Sequence, residues 1–273
     1  MKKIFSFAVA LVAAVSCVAL TAGCGGKPVT VKEIQERGEL IVATNAEFEP
    51  FEYKEGDKFV GVDIEIAQKL ADKLGVELRI DNMDFDAVVT SVGQGKADIA
   101  LAGLTVNEER KASVDFSASY YRSAQYLVVM KDNTAFDGLD KEGIDAKIAE
   151  MGSSAKIGYQ NGTTGGMYAN GSEAMEFEGF ASAVKKGYPN GGLAAEDMMN
   201  GNINIVIVDE EPAKSIVEKN PDKLKYIDVK LSDEEYAMGV RKNSPEFLEY
   251  VNDFLAEIME DGTLDTIFAK YFA

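Results

Sequence analysis

The chain contains no histidine and no tryptophan, and it has only two cysteines among its 273 residues. Without histidine it lacks the usual general base at neutral pH and the most common metal ligand. Both cysteines, Cys17 and Cys24, lie near the N-terminus, so the rest of the chain has neither a disulfide framework nor a thiolate metal site. We therefore expect no metal and no cofactor.

Positive charge is also scarce, because 28 Lys and Arg residues face 46 Asp and Glu residues and leave a net charge of −18. This balance argues against nucleic acid and anionic membrane surfaces as partners. Apolar residues make up 46% of the chain and charged residues 27%, as is ordinary for a protein with a packed core. The length allows one large domain or two smaller lobes.

Residues 1–23 have the features of an export signal: two lysines near the start, then apolar residues from Ile4 to Leu20. The apolar run is close to the shortest membrane-spanning length, so an uncleaved anchor is an alternative. The small residues before Cys24 resemble a bacterial lipobox, although Thr21 stands where leucine is usual. That resemblance implies lipidation of Cys24 and a tether at 24–29. Ordinary cleavage to a soluble periplasmic protein stays open.

The rest of the chain predicts an α/β protein with largely parallel sheets, because strand-like and helix-like segments alternate. The expected strands are Glu39–Ala43, Val76–Ile80, Asp98–Leu101, an extended run from Tyr120 to Met130, Lys156–Tyr159, Asn204–Val208 and Tyr236–Val240. The expected helices are Val62–Leu74, Ala87–Val92, one near Met167, Leu193–Met199, one from Glu210, Pro245–Met259 and Thr263–Tyr271.

Polar loops follow Ala43, Leu101, Tyr159 and Val208, at the carboxyl ends of four of these strands, where α/β sheets bind ligands. The loop that ends at Arg110 offers the Thr105 hydroxyl and an arginine fork within one turn, which suits a small carboxylate. An ordinary strand-to-helix connection, with Asn107 as the helix N-cap, is the alternative for this loop.

These residues resemble a known family, the amino-acid-binding solute-binding proteins of bacterial ABC transporters. The resemblance covers essentially the whole chain after the export signal and rests on the joint order of its motifs. They are Asn45-x-x-Phe48-x-Pro50-Phe51-Glu52-Tyr53, Gly61-Val-Asp-Ile-Glu-Ile-Ala67, Asp84-Phe85, Leu101 to Lys111, Asp115-Phe116-Ser117, Tyr120-Tyr121, Gly162-Thr163-Thr164-Gly165, Asp209 to Pro212 and Glu260-Asp-Gly-Thr-Leu-Asp-x-Ile-Phe268.

The resemblance implies a two-lobe, periplasmic-binding-protein-like (type II) fold with two hinge strands and a ligand cleft between the lobes. The first lobe would comprise residues 30–124 and 233–273, and the second lobe residues 125–232. It also implies that Arg110 and Thr105 bind an amino acid's α-carboxylate and that Asp209 binds its ammonium group. The other implied contacts around the carboxylate are the Thr164 N–H at the start of a helix and the backbone of Gly103, with Ala102 and Thr163 beside them. Phe48 and Phe85 match sandwiching aromatics, and Asn45 and Gln160 match positions near the ligand's side chain. From its place in the loop, Glu47 is a further candidate residue of the cleft.

Each of these residues also has a plain structural interpretation. Phe48 and Phe85 could be core aromatics, and Asp209 could cap the helix that contains Pro212. Residues 162–166 could form a phosphate loop, but no lysine follows the glycines. Glu47, Glu49 and Glu52 could form a carboxylate pair for acid–base chemistry, although such close spacing in a loop favours solvated side chains.

The function implied by the family is that of a monomeric, exported protein that delivers a polar L-α-amino acid to an ABC importer permease and performs no chemistry. Two alternatives remain open, a dehydratase-like enzyme on the same scaffold and a sensory module that reports the ligand to a membrane receptor. A buried acid with a raised pKa beside the ligand, unpaired with an ammonium group, would favour the enzyme.

Overall fold

The computed structural model describes residues 27–272, so the predicted export signal and residues 24–26 of the predicted tether, Cys24 among them, lie outside the described residues. Within that range, no helix is both long and apolar enough to cross a membrane. The described chain folds around two five-stranded sheets, each covered by helices.

The first half of the chain builds most of the first sheet. Its elements are α1 (Val31–Arg37), β1 (Glu39–Thr44), β2 (Tyr53–Glu55), β3 (Lys58–Val60), α2 (Val62–Leu74), β4 (Glu77–Asn82), α3 (Phe85–Gly93), β5 (Ile99–Ala100), α4 (Glu108–Lys111) and β6 (Val114–Ser123).

The chain then crosses to the second sheet and finally returns. The second sheet and its helices comprise β7 (Gln125–Met130), α5 (Lys141–Met151), β8 (Lys156–Gln160), α6 (Thr164–Asn170), β9 (Val184–Tyr188), α7 (Gly191–Met199), β10 (Ile205–Asp209), α8 (Glu210–Lys219) and β11 (Leu224–Ile227). The returning elements are β12 (Glu234–Arg241), α9 (Pro245–Glu260) and α10 (Thr263–Tyr271).

Both sheets are mixed, which corrects the expectation of largely parallel sheets. In the first sheet, of order β4-β1-β5-β12-β6, strand β12 runs antiparallel to both its neighbours. In the second, of order β11-β7-β10-β8-β9, strand β7 runs antiparallel to both its neighbours. The reversed strands are those that carry the chain between the sheets, a long-range feature that local alternation does not encode.

The predicted run from Tyr120 to Met130 is divided at Ala124 between the two sheets. Strand β6 ends at Ser123 in the first sheet, and β7 begins at Gln125 in the second. The return crossing lies between β11 and β12. We refer to the body around the first sheet as the first lobe and to that around the second sheet as the second lobe. Residues 124 and 228–233 are the crossings.

The elements follow from apolar periodicity and capping. Helix α2 buries Val62, Ile66, Leu70 and Leu74 on one face and ends at Gly75, which adopts a left-handed conformation. These side chains join an apolar cluster between the first sheet, α9 and α10. The second lobe has two smaller apolar clusters, one on each side of its sheet.

Candidate functional site

The polar loops at four strand ends meet between the two lobes. The amide of Gln160, the last residue of β8, donates to Oδ1 of Asn45, which follows β1, with 2.8 Å between nitrogen and oxygen. The guanidinium of Arg110 in the first lobe donates to the carbonyl of Gly162 in the second lobe at 3.0 Å. We use the term cleft for the region around these two contacts.

Arg110 is held by the single turn of α4, where Asn107 is the N-cap and accepts a hydrogen bond from the Arg110 N–H at 2.8 Å. The guanidinium is buried, donates to the Thr105 carbonyl at 2.7 Å, and lies 5.3 Å from the ring centroid of Phe85. Burial lowers its pKa, and the carboxylates of Glu234 and Asp209 oppose that effect. A cation is therefore fixed in a largely desolvated site.

Asp209 ends β10 and precedes α8, and it is buried with only 3% of its surface exposed. Its Oδ2 accepts a hydrogen bond from the hydroxyl of Tyr236 on β12 at 2.6 Å. Burial and the nearby Glu234 raise the pKa of Asp209 to about 7, although the Tyr236 bond opposes the shift. Opposite charges on Arg110 and Asp209 thus face one cleft.

Thr163 and Thr164 lie at the start of α6, whose first residue is Thr164, where the resemblance implied a helix start. Thr163 is the N-cap, and its hydroxyl donates to the Gln160 carbonyl at 2.8 Å. The Thr164 hydroxyl accepts from Gln125 Nε2 at 3.0 Å and donates to Glu234 Oε2 at 2.7 Å.

Ala102, Gly103 and Phe48 form the apolar wall of the cleft in the first lobe, and all three are buried. Gly103 has a φ of +52°, and a Cβ there would lie 2.7 Å from Phe48 Cε1. Glycine is therefore required for both conformation and space. Its N–H donates to Asp63 Oδ2 at 2.7 Å, which leaves its carbonyl as the backbone group that can serve a ligand.

Asn45 and Gln160, the two residues expected near a ligand's side chain, lie next to each other. Asn45 Nδ2 donates to the Met83 carbonyl at 2.8 Å, while Gln160 Oε1 is buried and has no hydrogen-bond partner among residues 27–272. Glu47 is exposed at the rim of the cleft and contacts Asn190 of the second lobe.

Two hollows flank the polar centre of the cleft. One, of about 330 Å³, lies at the rim and is lined by Glu47, Phe48, Asn190 and Val208 among others. The other, of about 250 Å³, is lined by Phe85, Arg110, Gly162 and Met167 among others. Both hollows involve residues from the two lobes.

The family model for bacterial extracellular solute-binding proteins, family 3, matches residues 40–273. The chain belongs to this family. The L-cystine-binding protein TcyJ of Escherichia coli is 30% identical to this solute-binding protein over 263 residues, which are 94% of this chain and 93% of the relative.

Two further similarities concern arginine-binding proteins. The arginine-binding extracellular protein ArtP of Bacillus subtilis is 41% identical over 129 residues, which are 47% of this chain and about half (49%) of the relative. The structure of the amino acid ABC transporter substrate-binding protein AbpA from Streptococcus pneumoniae, bound to L-arginine, matches with a TM-score of 0.76 and 33% identity. That match covers 88% of this chain and 97% of the other.

One relative of this solute-binding protein is an enzyme, the cyclohexadienyl dehydratase of Pseudomonas aeruginosa, which is 28% identical over 158 residues, or 55% of this chain and 59% of the enzyme. The other relatives described above are binding proteins. The family's type II two-lobe architecture, expected from the sequence, is confirmed by the structural match.

Sequence reasoning missed Glu234 in the cleft of this solute-binding protein. Its carboxylate accepts hydrogen bonds from the hydroxyls of Thr105 and Thr164, so Thr105 does not present a free hydroxyl in this structure. Glu234 stands in a charged run with Asp233 and Glu235, which suggests a solvated turn. Alternation along β12 could have revealed it, because Glu234 and Tyr236 share the buried face while Glu235 is exposed.

Glu52 is a second correction, because it was expected to be solvated together with Glu47 and Glu49. Its side chain is fully buried next to Asp63, and burial followed by the Asp63 charge raises its pKa well above the usual range. Asp63 accepts hydrogen bonds from the Tyr120 hydroxyl and the Gly103 N–H. The Gly103 N–H connects this pair to the wall of the cleft.

Proposed function

We propose that this protein is the extracytoplasmic binding component of an ABC importer and that its cleft holds a polar L-α-amino acid. The proposal rests on the placement of a buried cation, Arg110, and a buried carboxyl group, Asp209, in one cleft between two lobes. A free amino acid is a zwitterion and needs both charges to leave water.

In the proposed complex, Arg110 binds the α-carboxylate bidentately, because the guanidinium fork matches its geometry. The second lobe contributes Thr163 and Thr164, and the first contributes Thr105 with the backbone of Ala102. The Gly103 carbonyl can only accept a hydrogen bond, so it would serve the ammonium group. Asp209 receives the ammonium group.

The ligand's side chain would lie between Phe48 and Phe85 and reach Asn45, Gln160 and Glu47. The buried acceptor Gln160 Oε1, which has no partner among residues 27–272, supports a ligand side chain with a hydrogen-bond donor. The arginine-binding and cystine-binding relatives support a polar ligand.

The proposal includes closure of the two lobes, 30–124 with 233–273 and 125–232, around the ligand. Contacts made by both lobes to one ligand favour the closed state, which is a population shift. We also propose that the protein acts as a monomer, that residues 1–23 are removed, and that lipidated Cys24 anchors it to the outer face of the cytoplasmic membrane. Replacing Cys24 with serine should then release the protein from the membrane fraction.

A thermal-shift screen of the mature protein against the twenty amino acids and cystine tests the binding function. A ligand raises the melting temperature by mass action. Arg110→Ala should weaken binding of the best ligand by at least about a hundredfold, because a charge-assisted bidentate contact is lost. Arg110→Lys should recover part of it, since the charge remains without the fork.

Lys111→Ala is the matched control, because Lys111 is exposed on the same turn and pairs with Glu108. It should bind like the parent. A screen in which no amino acid stabilises the protein, or an Arg110→Ala variant that binds as tightly as the parent, would contradict the proposed function.

An enzyme is the second candidate, and two observations favour it. They are the dehydratase relative and the buried Asp209 with its pKa of about 7. We favour binding because Asp209 faces the proposed position of the ligand's ammonium group. That group would pair with the aspartate, whereas a catalytic acid would be unpaired. Incubation with a cyclohexadienyl hydroxy acid, followed by absorbance, would reveal dehydration to an aromatic product.

A further inference from the structure

Glu234 joins the two lobes through one carboxylate. Its Oε2 accepts from the hydroxyl of Thr105 in the first lobe at 2.6 Å and from that of Thr164 in the second lobe at 2.7 Å. Its Oε1 accepts from the hydroxyl of Ser232 in the crossing at 2.6 Å. Only 4% of the residue's surface is exposed.

These two threonines are the ones that the proposed function assigns to the ligand's α-carboxylate. A hydroxyl has a single proton to donate, so neither threonine hydroxyl can donate to a ligand while it donates to Glu234. Two carboxylates that approach the same pair of donors also repel each other in a desolvated site. Glu234 and a ligand carboxylate on these hydroxyls therefore exclude each other.

The charge pattern agrees with this exclusion. Burial lowers the pKa of Arg110, and nearby carboxylates raise it. Glu234 has the largest raising effect, followed by Asp209. Glu234 therefore takes the two hydroxyls proposed for the ligand's carboxylate and lies near enough to Arg110 to affect its charge, although no ion pair of 4 Å or less joins the two side chains among residues 27–272.

We propose that Glu234 is an internal competitor for the α-carboxylate site. It takes the two threonine hydroxyls when no amino acid is bound, holds the lobes together, and gives up those hydroxyls to the ligand. This inference rests on the proposed function. While Glu234 occupies the two hydroxyls, the protein is closed and cannot bind the ligand. Only the remaining fraction of the protein can bind, so the apparent Kd is the intrinsic Kd divided by that fraction.

Replacing Glu234 should therefore raise the affinity for the ligand. Removing a ligand contact or a structural hydrogen bond weakens binding, whereas removing a competitor strengthens it. Glu234→Gln keeps the shape and replaces charge-assisted bonds with neutral ones, which are roughly half as strong. Glu234→Ala removes the acceptor altogether.

Isothermal titration with L-arginine, L-glutamine and L-cystine compares these variants with the parent. For whichever of these binds the parent, Glu234→Gln should lower the Kd by about tenfold and Glu234→Ala by more. Glu235→Gln is the matched control, because it makes the same charge change at the next residue, which is exposed beside Arg122. It should stay within about twofold of the parent. Equal or weaker binding by Glu234→Gln overturns the inference.

Small-angle scattering without added amino acid gives a readout that needs no ligand. The radius of gyration should rise in Glu234→Gln and further in Glu234→Ala, while the parent and Glu235→Gln stay compact. If it does not change, Glu234 does not hold the lobes together and the inference is wrong. A parent that binds no amino acid contradicts the proposed function separately. If Glu234→Ala fails to fold by circular dichroism, Glu234→Gln alone decides.

Discussion

At the scale of single residues, Glu52 and Asp63 bring two carboxyl groups into the interior of the first lobe. Asp63 Oδ1 accepts from the Tyr120 hydroxyl at 2.9 Å, and its Oδ2 accepts from the Gly103 N–H at 2.7 Å. Burial raises the pKa of Asp63 to about 7, and burial with the Asp63 and Asp209 charges raises that of Glu52 well above its usual range. Hydrogen bonds thus favour ionised Asp63 beside a protonated Glu52.

These raised pKa values predict that the protein is more stable at pH 5 than at pH 8. Unfolded Asp and Glu ionise near pH 4, so between about pH 4 and 7 the native state binds more protons than the unfolded state. The free energy of unfolding then falls as pH rises, and the contribution is fully present only below the unfolded pKa values. Asp209, with a pKa of about 7, adds in the same direction.

In Glu52→Gln the free energy of unfolding should fall less steeply with pH, because an amide cannot ionise. The slope should change by up to about 1.4 kcal/mol per pH unit, which corresponds to a difference of one bound proton between the folded and unfolded states. Urea denaturation followed by circular dichroism between pH 5 and 8 measures the slope. Glu55→Gln is the control, since Glu55 is exposed in the same segment. Parallel profiles for the parent and Glu52→Gln would mean that Glu52 does not hold the proton.

Residue types predicted some of the site, and tertiary packing decided the rest. Arg110, Thr105 and the strand-end position of Asp209 were predictable because strand ends converge at one edge of an α/β sheet. Glu52 and Glu234 were not, since a charged residue in a polar loop is usually solvated. Their burial depends on partners far away in sequence, Asp63 for Glu52 and Thr105 with Thr164 for Glu234.

At the scale of elements, the four-residue helix α4 places the central cation of the cleft. A helix this short has little stability of its own, so its cap contributes a large share of it. Asn107 caps it by accepting from the Arg110 N–H, and its amide also contacts Met167 of the second lobe. The Asn107 cap therefore fixes the backbone of Arg110, while the guanidinium's own bonds to the Thr105 and Gly162 carbonyls fix its far end.

Asn107→Ala should cost about 1 kcal/mol of unfolding free energy and should weaken ligand binding, because Arg110 loses its fixed orientation. Asn107→Asp should keep both properties near the parent values, since aspartate caps equally well and its charge suits a helix N-terminus. Chemical denaturation and titration calorimetry measure the two effects. If the aspartate variant loses as much as the alanine variant, capping is not the role of Asn107.

Apolar periodicity predicted most helices and buried strands, but it does not predict the direction of a strand within its sheet. Alternation of strands and helices is compatible with both parallel and mixed sheets, and only the two crossings at 124 and 228–233 reverse β7 and β12. Periodicity placed the start of α6 only approximately, near Met167, because the glycines at 165 and 166 interrupt the pattern of its first turn. Thr163, a good N-cap residue, was the available signal for its start.

At the scale of the whole molecule, the two lobes touch at the cleft centre and again at its rim. Lys219 at the end of α8 pairs with Glu49 of the first lobe, beside the contact between Asn190 and Glu47. These rim contacts join opposite lobes, so they exist only while the lobes are closed. They contribute to the closed state whether or not Glu234 or an amino acid occupies the centre.

Lys219→Ala should therefore speed ligand association and dissociation by similar factors and leave the Kd nearly unchanged. The factor should be below about fivefold, because an exposed ion pair contributes at most about 1 kcal/mol. Stopped-flow tyrosine fluorescence measures both rates, and the difference from the parent should shrink in 1 M salt, where such pairs are screened. Lys223→Ala, an exposed change in the same lobe, should alter neither rate. A change confined to dissociation would instead mean that the rim pair forms only after the ligand has bound, and that closure without ligand does not occur.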